Sequence, residues 1–231
     1  MPLLHNGESF TSSEGGCQGE RLHTMRSETP ERSKQVQLEI EVKIKIRNLR
    51  KLRGDLLELG CTETVPRSLE RNWTWDFPGQ SLRQQGKLLR VRQFAGQCLL
   101  TFKGAARQSR HFKIREEQET VVRDRRVLDV ILERLGLQVM FRYEKYRTSY
   151  SLRLRGKRGT VDLSVDETPI GNYLEIEGTE ADIHGIAKKL GFEDDAFIKE
   201  SYLALFAKSR SRNGQQDMVF ARFVKSKARR V

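Results

Sequence analysis

The sequence predicts an α+β fold in which antiparallel strands carry one apolar and one charged face, and amphipathic helices cover the apolar face. Two observations lead there. The stretch Leu38–Ile46 alternates apolar and charged residues without a break. A strand turns successive side chains to opposite faces, so Glu39, Glu41, Lys43 and Lys45 share one face and Leu38, Ile40, Val42, Ile44 and Ile46 share the other. The same alternation recurs downstream, between segments whose apolar residues repeat at helical spacing. A single strand of this kind is ordinarily a half-exposed strand with a salt-bridged solvent face; recurrence is what gives the pattern weight.

The elements follow in order. Residues 1–34 are rich in Gly, Ser, Thr and Glu, show no periodicity and are expected to be a disordered N-terminal tail, with Met25 an alternative start. The first strand spans 37–47. Asn48 then caps a helix carrying Leu49, Leu52, Leu56, Leu57 and Leu59, which Gly60 stops. Asn72–Phe77 is an aromatic strand before a Pro78-Gly79 turn. Leu88–Phe94 and Gln97–Lys103 form a hairpin around Ala95-Gly96, and Phe112–Val122 is the next strand. Asp124–Leu135 repeats Val127, Leu128, Ile131, Leu132 and Leu135 at helical spacing and ends at Gly136. Val139–Arg155 and Gly159–Asp166 make a second hairpin, Tyr173–Glu177 a short strand, Ala181–Leu190 a helix ended by Gly191, and Phe197–Lys208 a last helix.

A length of 231 residues with 37% hydrophobic content suits one folded domain plus tails. The net charge is +12, and its densest source is 208–231, with eight Lys/Arg against one acid, Asp217. A solvated end is the usual meaning of such a tail, and contact with nucleic acid or polyphosphate is the alternative. The tail is expected to be dispensable for turnover. Cys17, Cys61 and Cys98 are widely spaced and form no CxxC, which points to a reducing compartment and away from a Cys-based zinc site. No apolar run approaches a membrane span and no secretory signal is visible, so a cytoplasmic protein is the expectation. The chain has no GxxxxGK[ST], GxSxG or HExxH. His111 and His184 read as solvated polar residues, and Trp73, Trp75 and Phe77 as packing more than as a base-stacking surface.

The charged faces carry the chemistry. Arg90 and Arg92 share a face, Lys103 stands opposite Phe102, and Arg115 precedes the alternating pair Glu117 and Glu119. Lys145 and Arg147 form a second cationic pair. Asp162, Ser164 and Asp166 alternate with Val161, Leu163 and Val165, and Glu175 and Glu177 make a third ExE pair. In an open sheet these faces meet water; in a closed barrel they line an interior and the helices pack outside. The amphipathic helices, which need an apolar sheet surface, favour the barrel. Three ExE pairs repel one another unless cations sit among them, which implies a divalent metal, while Arg and Lys pairs suit phosphate oxygens.

In this setting Glu39-x-Glu41-x-Lys43 resembles the ExExK signature of the CYTH superfamily, the triphosphate tunnel metalloenzymes. Further landmarks stand in order: Trp75-Asp76-Phe77-Pro78, Leu88-Leu89-Arg90-Val91-Arg92, Leu100-Thr101-Phe102-Lys103-Gly104, Arg115-x-Glu117-x-Glu119, Glu144-Lys145-Tyr146-Arg147, Val165-Asp166, Gly171–Glu177 and Lys199-Glu200-Ser201-Tyr202-Leu203. The likeness covers about 35–207, the expected tunnel domain, leaving 208–231 as a basic C-terminal tail. It implies an eight-stranded antiparallel tunnel with helices outside. It also implies Glu39, Glu41, Asp166, Glu175 and Glu177 as metal ligands, with Glu117 and Glu119 either binding metal or positioning water. Lys43, Arg90, Arg92, Lys103, Arg147 and Lys199 match triphosphate-binding cations, and Lys145 joins them as the neighbour of Arg147. Glu39, Glu41 and Lys43 form the catalytic candidate group. Ala105 stands where Pro is common, Arg123–Arg126 is unusually basic, and Asp162 shares the parity of Asp166, so the choice between those two stays open.

Three functions compete. The first is a Mg2+- or Mn2+-dependent hydrolase of inorganic triphosphate, a nucleoside triphosphate or thiamine triphosphate. The second is a class IV adenylyl cyclase, forming cyclic AMP and pyrophosphate from ATP. The third is a polyphosphate-binding module without catalysis, against which the many carboxylates argue.

Overall fold

The computed structural model describes residues 37–154, 156, 159–209 and 216–221. The expected tail 1–34, the start at Met25 and part of the Gly156–Gly159 turn lie outside these residues. Eight antiparallel strands close into a barrel: β1 (Gln37–Ile46), β2 (Thr62–Asp76), β3 (Leu88–Phe94), β4 (Gln97–Lys103), β5 (Lys113–Val121), β6 (Gln138–Arg153), β7 (Thr160–Thr168) and β8 (Gly171–Glu177). The order around the ring is β1-β5-β4-β3-β2-β6-β7-β8 and back to β1. Closure depends on β1 having two partners. Its first half pairs with β5 and its second with β8, so Glu41 lies opposite Lys113 on one side and Glu177 on the other. A two-residue strand, β9 (Phe197–Ile198), adds to β1 at Lys43 and Ile44.

The apolar faces point outward and the helices cover them, as the charge pattern predicts. Val42, Ile44, Leu163, Val165, Leu174 and Ile176 pack with Leu52 and Leu56 of α1 (Leu49–Glu58) and Ile183, Ile186 and Ala187 of α4 (Glu180–Lys189). Each such fully buried aliphatic is worth about 1.5–3 kcal/mol, and the helices gain the same from the sheet. On the other side Leu132 of α3 (Arg125–Arg134) packs on Trp75 and Val91. α1 starts at its expected cap, Asn48. The side chains of Asn48, Asp124 and Thr179 cap α1, α3 and α4, and Gly60 takes a positive φ of 89° to end α1. Among the described residues no helix is long and apolar enough to cross a membrane.

The structure corrects four expectations. β2 begins at Thr62, ahead of the Asn72 start, because register shifts around Val65 and Ser68, flanking Pro66, hide its alternation. A short helix α2 (Ser81–Gln84) follows β2; Asp76 accepts bonds from the amides of Phe77, Leu82 and Arg83. The last helix, α5 (Tyr202–Ser209), does not start at Phe197, because Phe197 and Ile198 pair with β1. Lastly, part of the expected basic C-terminal tail is built into the fold. Met218 is fully buried, exchanges backbone hydrogen bonds with Arg142 and Glu144 of β6, and packs with Phe141, Tyr143 and Tyr173.

Phe141, Tyr143 and Tyr173 share the inward parity of the charged residues on β6 and β8. Tyr202 and Phe206 of α5 pack on them, so α5 plugs the interior at that end.

Candidate active site

The barrel interior is a set of linked ion pairs. On the β1–β5–β4 wall, Glu39 accepts from Lys103 at 2.5 Å and from Arg115 at 3.4 Å, Lys103 also lies 2.9 Å from Glu117, and Glu41 accepts from Lys113 at 2.6 Å. On the β3 wall, Arg92 binds Glu119 at 2.9 Å, and Arg90 lies 3.9 Å from both Glu117 and Glu119. Thr101 donates to Glu119 at 2.7 Å. On the β6–β7–β8 wall, both oxygens of Asp166 are taken by Arg147 at 2.7 Å, with Lys145 at 2.9 Å and the Tyr202 hydroxyl at 2.7 Å as further donors. Arg147 also hydrogen-bonds Glu175, which holds Lys43 at 2.7 Å. Glu70, wholly buried on β2, lies 3.5 Å from Lys145 and 3.7 Å from Arg147 and accepts from Asn72.

These contacts set the protonation. Burial works against the charge on Glu70, but Lys145 and Arg147 outweigh it and hold its carboxyl down to about 2. Burial likewise opposes the charge on Glu41, and Lys113 and Lys43 overcome it. Glu175 is held well below the carboxylate range against burial by Lys43, Lys145 and Arg147. Glu39 is raised by burial and by Glu41 beside it. Glu177 is pushed up to about 7, first by burial and then by Glu39, with Glu117 and Glu41 adding to the effect. Among the described residues, neither Glu177 nor Asp162 has a hydrogen-bond or ion-pair partner for its side chain. Buried donors are also left over: the Nε–H groups of Arg90 and Arg92 have no acceptor.

One cavity of about 280 Å³ opens inside the barrel. The structure brings Glu39, Glu41, Arg90, Arg92, Lys103, Glu117, Glu119, Arg147, Glu175 and Glu177 together around it, with Asp162 and Ser164 at its wall. Asp166, the alternative to Asp162, is buried behind the lining with Lys145 and Lys43. Lys199 stands apart: it is exposed and donates to the carbonyl of Ser109 at 2.8 Å. The lining holds seven carboxylates against four cations. No three His, Cys, Asp or Glu side chains among the described residues converge as a ready metal cage.

Glu70, Lys113 and Tyr202, and Arg115 as a cation, are site residues beyond those expected from the sequence. Lys113 and Arg115 share the parity of Glu117 and were legible from it. Glu70 was hidden by the undetected start of β2, and Tyr202 by its place in a presumed continuous helix. Trp75 is in the outer core and Arg125 lies over Trp73 at 3.4 Å, which is packing. His111 and His184, read as solvated polar residues, are half-buried, with ring centroids 6.1 Å apart, and both face Asp194.

The sequence model of the CYTH domain matches residues 37–202. No curated protein matches the chain. Solved structures do. A candidate adenylate cyclase from Vibrio parahaemolyticus is 20% identical, with TM-score 0.64, over 75% of this chain and 99% of that one. A conserved hypothetical protein of Pyrococcus furiosus is 25% identical, with TM-score 0.58, over 72% and 99%. A candidate adenylyl cyclase from Hippeastrum, with a dominant triphosphatase activity, is 20% identical, with TM-score 0.53, over 74% and 96%.

Proposed function

The chain belongs to the CYTH domain family, and from that premise we propose that it is a divalent-metal-dependent enzyme that hydrolyses triphosphate groups inside the barrel. One observation carries this reading: a 280 Å³ cavity lined by seven carboxylates also presents four cations. A pure anion site gains nothing from that excess of carboxylates, and a triphosphate chain would be repelled by it. A divalent cation reconciles the two.

The donor set fits such an ion. Glu177 and Asp162 are free oxygen donors, and Glu39, Glu41 and Glu117 crowd Glu177 electrostatically. The lack of a three-ligand cage is no obstacle, because Mg2+ is commonly held by one or two carboxylates with substrate phosphates and waters completing the shell. Mg2+ or Mn2+ would be held by Glu177 with Glu39, Glu41 or Glu117. When bound it would neutralise phosphate charge and lower the pKa of attacking water. Glu119, tied to Arg92, and Asp166 and Glu175, tied to Lys145, Arg147 and Lys43, instead set the cations in place.

The chain's own residues do the rest. Arg90, Arg92, Lys103 and Arg147 line one cavity and bind the phosphate oxygens through charge-assisted hydrogen bonds. Fixed cations hold the chain in line for displacement at phosphorus, so that positioning and charge supply most of the rate. Hydrolysis is the reading that the charged lining supports; a base, were ATP cyclised, would have to lie in the apolar recess at the α5 end of the barrel, lined by Phe141, Tyr143 and Tyr202. The dominant triphosphatase activity of the Hippeastrum protein agrees with this.

Product analysis tests the reading. Incubated with triphosphate or ATP and Mg2+ or Mn2+, the protein is expected to release free phosphate. Cyclic AMP with pyrophosphate from ATP would assign a cyclase instead, and binding without turnover would assign a binding module. Glu39→Gln and Glu41→Gln are each expected to lower metal-dependent turnover at least about a hundredfold with the fold intact by circular dichroism. Full activity in both would end the proposal.

A further inference from the structure

Outside the barrel interior, the loop 104–112 between β4 and β5 frames a second concavity, of about 630 Å³. Its charge is the reverse of the cavity just described. Arg107, Arg110, Lys113 and Lys199 line it, and no carboxylate does. The loop is held in shape. The Arg107 amide donates to the Ile114 carbonyl at 2.7 Å, the Phe112 amide donates to the Ser109 hydroxyl, and Lys199 ties the Ser109 carbonyl. Phe112 anchors the loop in the outer core.

Two of the four cations are committed. Lys199 is on Ser109, and Lys113 reaches Glu41 on the inner wall at 2.6 Å. Arg107 and Arg110 are exposed, and their side chains have no partner among the described residues. Two unpaired guanidinium groups over a preformed basic concavity match phosphate oxygens in charge and in bidentate geometry. The concavity offers no exposed ring on which a base would stack, since Phe112 is buried. That favours a phosphate chain without bases over single-stranded nucleic acid. The pocket also adjoins the barrel: the Lys113–Glu41 pair has one member in each lining.

We propose that Arg107 and Arg110 on this loop form an external binding site for linear inorganic polyphosphate, separate from the triphosphate cavity. The site holds the body of a long chain against the barrel wall. That its end is then processed inside rests on the proposed hydrolytic function; binding at the loop does not.

The test measures binding and turnover separately. Affinities for long-chain inorganic polyphosphate, single-stranded RNA and triphosphate are measured by calorimetry on wild type and on the Arg107→Glu/Arg110→Glu variant. A variant with the same charge change at exposed positions elsewhere, Arg50→Glu/Arg153→Glu, serves as control. The loop variant is expected to lose about tenfold or more in affinity for polyphosphate, in keeping with two charge-assisted contacts, and to hydrolyse triphosphate at the wild-type rate. The control is expected to bind polyphosphate as wild type does. An equal loss in the control, no loss in the loop variant, or tighter binding of RNA than of polyphosphate at the loop would overturn the proposal. A protein that binds polyphosphate through the loop but hydrolyses nothing would sink the proposed function and leave this site standing.

Discussion

Glu177, like Asp162, is a cavity-lining carboxylate with no ion-pair partner among the described residues. Its neighbours across the sheet are Glu41 and Asp162, both acids, and burial with Glu39 nearby pushes its pKa up to about 7 from an ordinary 4.5. Between those values the folded protein holds a proton that the unfolded chain has lost, so this residue makes stability fall as pH rises through the window. The full effect is on the order of 3 kcal/mol. In chelator-treated protein, wild type is therefore expected to lose stability relative to Glu177→Gln as pH rises from about 4.5 to 7, read from denaturant midpoints. Parallel pH profiles would show that Glu177 does not titrate there. Parity alone placed Glu177 inside, beside Glu175. What parity could not say is that Glu175 is neutralised by Lys43 and Arg147 while Glu177 is left bare, because that depends on which strands become neighbours. The same ignorance of neighbours left Asp162 and Asp166 undivided, although one faces the cavity and the other is locked behind it.

At the scale of elements, strands with clean alternation were legible and those with irregularities were not. β1, β3, β4 and β8 read directly, since one-residue slips would have turned every charge into the outer core. β2 was seen only in its last residues because of the irregular register around Pro66, and β9 was lost because a two-residue pairing has no period. The segment Asp217–Phe220 carries no pattern either, yet it fills the end of the barrel beside α5. Met218 packs with Tyr143, whose hydroxyl lies 3.4 Å from Arg90. Met218→Ala is expected to cost about 2–4 kcal/mol of stability, as buried methionines generally do. Ending the chain at Ser209 should cost more, because the backbone bonds to Arg142 and Glu144 go with it. Thermal melts of both variants check this; a truncated protein as stable as wild type would show that the segment only rests on β6.

For the whole molecule the decisive quantity is where charge lies, and the net charge of +12 conceals it. The cavity inside the barrel carries an excess of carboxylates, whereas the outer loop pocket carries cations alone. A triphosphate therefore meets attraction at the surface and repulsion in the cavity until a divalent ion enters. On the proposed function, binding of the two is coupled, each raising the affinity for the other by the same factor. A non-hydrolysable triphosphate analogue alone, in chelator, is expected to leave the melting temperature of the wild-type protein nearly unchanged. Mg2+ alone should raise it slightly. The two together should raise it by more than the sum, since a ligand stabilises only the state it binds. At ligand a hundredfold above its dissociation constant the gain is about 2.7 kcal/mol. That corresponds to roughly 5–10 °C for a chain of this size. An equal shift from the analogue with and without Mg2+ would mean that the fixed cations, Arg90, Arg92, Lys103 and Arg147, suffice against the carboxylates, and the metal would lose its role in binding.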